Sequence, residues 1–403
     1  MARTQLKAII ILYGLLLGAS LTLAQEPQVS QPPPAIAFSD WKEADRTQTY
    51  VEYTVSFPSA METPYPANNT VPLRVLMPAQ AAGPVPVVIV LHYWGARDLK
   101  VERALAAELN RHDIAAVIIT LPYHLSRTPP GYLSGELTVE PDPDLLVLNM
   151  IQSVWDVRRS VDWIVTRPEF DHSRIGIAGS SLGAVVATVA YGVDHRFVDA
   201  TFVLGGVDLA HIIWNSSRTV RERDMLRRRG FTEDRLRRAL EPIEPLQFLS
   251  NRPGGMTFVI GANYDTVMPS GSTMELVKVL DHPKTLFVET GHYGGIFVER
   301  RLLREVGNFF SAEFSGKDFT PPTRIYAPTV RIGGIANTAT GFDLAAGVDL
   351  IKFDHRGDGF STLMITPRGP ELFVGRRIDS RIAFGLIATR RKLGAGLFWS
   401  TVL

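Results

Sequence analysis

The segment Ile175-Gly-Ile-Ala-Gly179-Ser180-Ser181-Leu182-Gly183-Ala184 sets a serine between two glycines in the spacing G-x-S-x-G. A serine hydroxyl attacks a carbonyl only when something lowers the cost of removing its proton. The residues around Ser181 suit that task. An apolar strand pattern precedes the motif and a helical pattern follows it, so the serine falls on a sharp strand-to-helix turn. Glycine on both flanks lets the crossing backbones approach closely. Such a turn lifts the hydroxyl above the sheet edge, at the positive end of the following helix. Ser181 is the candidate nucleophile, and Ser180 reads as a small filler at the tight turn.

A turn of this kind needs a sheet beneath it. From Gln48 to about Phe314 the sequence alternates strand and helix patterns, which predicts a mostly parallel twisted sheet with helices on both faces. Thr49–Phe57 and Val71–Met77 alternate, as an antiparallel opening hairpin would. Val85–Leu91 and Ile114–Thr120 are continuous apolar runs, the mark of strands buried on both sides. Helical spacing predicts helices over Leu99–Leu109, Leu145–Val165 and Leu182–Tyr191, and over the closing stretch Gly295–Phe314. Further strands are expected at Arg174–Ala178, Ala200–Leu204, Met256–Ile260 and Thr285–Val288.

On the G-x-S-x-G turn in this setting, residues 48–318 resemble the α/β-hydrolase superfamily, in its serine esterase and dienelactone-hydrolase-like branch. The resemblance implies a carboxylate after a later strand and a histidine after the last one. Met256-Thr-Phe-Val-Ile-Gly-Ala-Asn-Tyr-Asp265 puts Asp265 just past a strand end, and Thr285-Leu-Phe-Val-Glu-Thr-Gly-His292 ends the final strand in a loop carrying His292. In these roles a neutral His292 takes the serine proton and Asp265 holds the ring in the right tautomer. Glu289 and Asp281 are rival acids, the first inside a strand and the second before it. The resemblance also implies an oxyanion hole of backbone N–H groups, from Leu182 and from the loop His92-Tyr93-Trp94-Gly95. Tyr93 stands where the family commonly has glycine, so either Trp94 or Tyr93 is the second donor.

Composition narrows the field. Charges nearly balance, 42 Lys and Arg against 41 Asp and Glu, which gives no field for nucleic acid. Cysteine is absent, so disulfides, a thiol nucleophile, a zinc–cysteine site and a lipidated cysteine are excluded. Arg3 and Lys7 precede an uncharged run ending in Thr22-Leu23-Ala24, the pattern of a secretory signal peptide over residues 1–24. An uncleaved anchor is the alternative. The expectation is an exported chain, periplasmic, outer-envelope associated or secreted. Residues 25–47, rich in Pro and Gln at their start, read as a linker and lead-in that need not pack.

Two regions depart from the alternation. Asp208–Ser250 reads as a cap-like insertion with nine arginines and seven acids. Arg221, Arg228 and Arg235 could meet an acidic substrate, though a solvated helix face balanced by acids is the expected role. Residues 319–403 hold eleven Lys and Arg against six Asp and Glu, and alternate small with apolar residues through four to six strands, with a turn at Asp354–Gly359. The alternation is like that of outer-membrane barrels, but a closed single-chain barrel takes at least eight strands. A soluble β-rich extension is therefore expected, with membrane or oligomer contact as the alternative. Taken together, the expectation is a serine hydrolase acting on a small-molecule carboxylic ester through an acyl-enzyme, calling for no metal or organic cofactor. A serine peptidase is the first rival and a non-catalytic envelope binding protein the second.

Overall fold

The computed structural model describes residues 28–250, 252, 254–323, 325, 327, 329–338, 341–353, 359–378, 381–388 and 393–402. The expected signal segment lies outside them, as does most of the turn at Asp354–Gly359. Nine strands form one sheet: β1 (Lys42–Arg46), β2 (Tyr50–Pro58), β3 (Thr70–Pro78), β4 (Val85–Leu91), β5 (Ala115–Ile119), β6 (Phe170–Ser180), β7 (Phe197–Val203), β8 (Thr257–Ala262) and β9 (Lys284–Val288). Their spatial order is β1-β2-β3-β5-β4-β6-β7-β8-β9. The first three strands pair antiparallel and β3 meets β5 antiparallel, whereas every pair from β5 to β9 is parallel.

Register explains where a site can form. Leu91 pairs with Gly179, and Ser180 with Val203, so the carboxyl ends of β4, β6 and β7 share one edge of the sheet. From β4 the chain crosses to β5 on one side and later to β6 on the other. The crevice where winding reverses is the usual place for a ligand in such sheets.

The apolar run of β4 is buried on both faces, as its composition requires. Val87, Ile89 and Leu91 join one core layer, Val88 and Val90 the other. The helix Pro143–Ile164 starts two residues before the expected Leu145, because Pro143 fits its first turn and the Asp142 side chain caps it by accepting from the Asp144 N–H. Helices Leu182–Val193 and Glu299–Phe314 also follow the spacing, the latter after a short 3-10 turn at Gly294–Val298. The lead-in packs more tightly than its composition suggests. Val29 is buried against the main core, Trp155 Nε1 donates to Gln28 O at 3.2 Å, and Arg158 donates to the carbonyls of Ser30 and Gln31.

Past Phe319, which packs on Phe258 and Phe309, the chain builds a second body. Strands β10 (Val330–Asn337), β11 (Gly341–Lys352), β12 (Gly359–Thr366), β13 (Gly369–Arg377), β14 (Ile382–Ala388) and β15 (Leu393–Val402) form a closed antiparallel barrel. β10 pairs with β15 to shut it. Six strands match the upper end of the expected range, but the expectation that so short a tail stays open is overturned by the β10–β15 pairing, and closure leaves no free edge.

Candidate active site

Ser181 sits at φ +52° and ψ −115°, at the first turn of the helix Leu182–Val193. A non-glycine residue pays for that backbone in strain, and such strain persists where the surroundings enforce it. Here the Ser181 N–H donates to Val203 O at 2.8 Å. The glycines are required by contact. A Cβ on Gly179 would lie 2.2 Å from Gly183 O, and one on Gly183 would lie 2.4 Å from Leu91 O.

The loops after β8 and β9 bring Asp265 and His292 to the same edge. His292 Nε2 lies 3.0 Å from Ser181 Oγ, and His292 Nδ1 lies 2.7 Å from Asp265 Oδ2. The other carboxylate oxygen accepts from Val267 N at 2.8 Å and Met268 N at 2.7 Å, which fixes the acid's orientation. Asp265 and His292 are both buried. Their side chains and that of Ser181 come from positions 181, 265 and 292, yet form one unbroken hydrogen-bonded line. The rival acids face elsewhere. Glu289 accepts from Asn263 Nδ2 and from the Tyr264 hydroxyl, and Asp281 is almost fully exposed.

The loop after β4 is braced by two histidines that the sequence reading did not single out as a pair. His92 Nε2 accepts from the Leu121 N–H at 3.0 Å, which leaves Nδ1 to donate to Tyr93 O at 2.9 Å. His124 Nε2 accepts from the Gly95 N–H at 3.0 Å while Nδ1 donates to Pro122 O at 2.8 Å. Burial pushes both rings well below the ordinary histidine pKa, His92 to about 4 and His124 to about 3, so each is a neutral strut. The Gly95 N–H is thereby engaged. Tyr93 and Trp94 both line the cavity that contains Ser181.

Two spaces meet at the serine. A narrow apolar slot of about 120 Å³ runs between the 208–250 insertion and the neighbouring helices, past Leu146, Met150, Leu182, Val185, Ile213 and Val267. A wider cavity of about 780 Å³ opens on the other side, bounded by Tyr93, Glu102, Ser180, His292 and Phe297. Arg218 borders both. Its guanidinium lies 4.5 Å from the Trp94 ring centre, and Nη1 donates to the Tyr293 hydroxyl at 3.1 Å. Position 218 opens the arginine-rich stretch, and nothing in its spacing distinguishes it from its neighbours. Arg221 and Arg228 are exposed, and Arg235 stacks on Phe231. Arg237 is tied to Asp208, Glu233 and Asp234, the acid-balanced helical face expected of the insertion. Among the described residues, no group of three His, Asp or Glu side chains is disposed to hold a metal ion.

Comparison with known proteins adds three findings. The family model described as alpha/beta hydrolase domain containing 18 matches residues 21–204, a span that includes the Ser181 turn but not Asp265 or His292. An uncharacterized protein of Mycobacterium tuberculosis is 25% identical over 289 residues, 68% of this chain and 67% of that protein. The solved structure of an acetyl xylan esterase from Paenibacillus sp. R4 is similar with a TM-score of 0.53 at 21% identity, over 68% of this chain and 87% of that one. The likeness to that structure is one of fold.

Proposed function

We propose that this chain, which has the α/β-hydrolase fold and holds a serine, histidine and aspartate in hydrogen-bond contact, is a serine hydrolase cleaving a carboxylic ester. The observation that carries this reading is the 3.0 Å contact between His292 Nε2 and Ser181 Oγ, backed by the 2.7 Å contact to Asp265. Ser181 Oγ attacks the ester carbonyl as its proton passes to His292 Nε2. Asp265 keeps the Nδ1–H in place and stabilises the imidazolium that forms. The N–H groups of Leu182 and Trp94 hold the oxyanion, Tyr93 being the alternative to Trp94; the neighbouring Gly95 N–H is already bound to His124. One such donor is worth roughly 3 kcal/mol in the transition state. Collapse of the tetrahedral species sends the proton from His292 to the departing alkoxide, which leaves as the alcohol. Water then attacks the acyl-enzyme by the same route in reverse.

The two spaces suggest a division of the substrate. A dry cavity of about 150 Å³ holds a benzene ring, so the 120 Å³ slot suits an acyl group of a few carbons. The wider cavity then takes the alcohol. A fluorophosphonate probe should label the folded protein and fail on Ser181→Ala. Acetyl and butyryl p-nitrophenyl esters should turn over faster than octanoyl, and all of them far faster than aminoacyl anilides. Comparable turnover of the anilides would favour the peptidase, and no labelling of the folded wild type would favour a binding protein.

A further inference from the structure

The barrel is built inside out for water. Along β11, Phe342, Leu344, Val348 and Leu350 point outward and are exposed, while Asp343, Ala345 and Asp349 point inward and are buried. Opposite walls repeat the scheme: Ile382, Phe384 and Leu386 on β14, and Leu393, Leu397 and Trp399 on β15, all face out. Leu344 is 68% exposed and Leu386 62% exposed. The charges lie within. Arg331 makes a two-pronged contact with Asp349, Nε to Oδ1 at 2.6 Å and Nη2 to Oδ2 at 2.9 Å, with Thr362 donating to the same carboxylate. Phe360, Phe373 and Phe398 fill the rest of the lumen. Among the described outward positions of the six strands, Arg376 is the one charge, and it lies at the end nearest the hydrolase domain.

We propose that this barrel sits in a lipid bilayer, its outer wall against acyl chains and the hydrolase domain at the membrane surface. Contiguous apolar patches of more than a few hundred Å² on a soluble protein mark a contact surface. A partner protein covers one side of a cylinder, whereas here apolar side chains occupy the whole circumference, which only a surrounding apolar medium can match. Backbone chemistry agrees: a closed barrel satisfies every strand N–H and C=O internally, the condition for entering hydrocarbon. The strands run from 7 to 12 residues, around the roughly 9–11 that cross a bilayer core when tilted. Charge placement is complementary as well. Arg376, exposed on the outer wall, stands at the hydrolase end, where anionic headgroups would lie. Aromatic rings mark both rims, Phe342 at the far one and Phe353, Phe384 and Trp399 at the near one. Known single-chain outer-membrane barrels have eight or more strands. Six suffice for closure here because Phe360, Phe373, Phe398 and the Arg331–Asp349 pair fill the lumen.

The hydrolase end of the barrel is anchored to the loops that carry the site. Thr329 Oγ1 donates to Glu289 O at 2.9 Å, and Lys352 Nζ lies 3.9 Å from the centre of the Tyr264 ring, beside Asp265.

Because the chain has no cysteine, one can be introduced at a time. The full chain carrying Leu344→Cys or Leu386→Cys is labelled with a polarity-sensitive fluorophore and mixed with phosphatidylethanolamine–phosphatidylglycerol vesicles bearing acyl-chain nitroxides. Lys278→Cys, on the hydrolase surface, is the control. Both wall probes should shift to the blue and be quenched several-fold more than the control. An amino-terminal anchor alone would leave them in water, so wall probes behaving like the control on vesicle-bound protein would overturn the proposal. So would wall probes already shifted in lipid-free buffer on a chain running as a dimer or larger, since a second copy would then cover the wall. Two wall positions guard against one variant misfolding, and fluorophosphonate labelling reports the hydrolase fold independently.

Discussion

In β4 of the hydrolase sheet, Val87 and Ile89 face one layer, Val88 and Val90 the other, and helices cover both. In β11 of the barrel, Leu344 and Val348 face outward while Asp343 and Asp349 face the lumen. Both strands are rich in apolar residues, yet the first buries them in protein and the second displays them. The difference lies in what each strand has on its two sides. A parallel strand between helices meets protein both ways and so becomes apolar throughout. A strand in a small barrel meets a lumen on one side and its surroundings on the other. In β11 charge goes inward and hydrocarbon outward, the arrangement on which the proposed lipid surrounding rests. One half of the molecule is thus organised around a hydrogen-bonded Ser181–His292–Asp265 line at a sheet edge, and the other around a closed lumen with an apolar outer wall.

If the two halves are separate in this sense, single changes should strike one and spare the other. The largest effect expected is on the chemistry: Ser181→Ala should lower kcat for p-nitrophenyl acetate by at least about 10⁴-fold. Vesicle binding by the same variant should equal that of the wild type. If both fell together, barrel and site would be one cooperative unit and the comparison would fail. Next comes Arg331→Met, which leaves Asp349 without its cation in a closed lumen. Breaking a buried pair by removing one partner costs about 3–5 kcal/mol, so the barrel should melt at markedly lower denaturant in detergent. Adding Asp349→Leu should restore most of that loss. A single-variant cost no larger than that of a surface ion pair, below about 1 kcal/mol, would mean a wet lumen.

How much of this was legible in the sequence follows from how local each signal is. The Ser181 turn could be read because its glycines are neighbours in the chain and their contact problem is solved within five residues. Strands β4 to β9 were legible as apolar runs between helical patterns. Asp265 and His292 needed the family order to be singled out, since nothing local ties position 265 to position 292. Arg218 and His124 gave no signal at all: each acts through a neighbour far along the chain, Trp94 in one case and the Gly95 N–H in the other. The docking of residues 28–34 was hidden for a similar reason, because the segment packs through its own carbonyls onto Trp155, Arg158 and Arg159. In the tail, alternation showed that there are two faces. Which one is inside depends on closure, a property of six strands together.

The smallest effect concerns Glu102, whose side chain borders the wide cavity beside Ser181 and is 2% exposed. Burial, with the charges of Asp98 and Glu299 adding to it, pushes its carboxyl up to about 7, and its own backbone N–H offsets this only in part. An acid whose folded pKa is raised favours its neutral form in the fold. Stability from this group is therefore full below about pH 4.5, declines as pH rises from 4.5 to 7, and is level above that. The total decline is on the order of 3 kcal/mol. Glu102→Gln keeps the shape and removes the titration. Urea melts of the hydrolase domain signal in the full chain should find the variant no different from wild type at pH 4, and more stable by that order at pH 8. Parallel pH dependences for the two proteins would show that Glu102 stays hydrated in the fold. The wide cavity would then be a wet surface groove at its Glu102 side, and the two regions would differ less in how they treat buried charge.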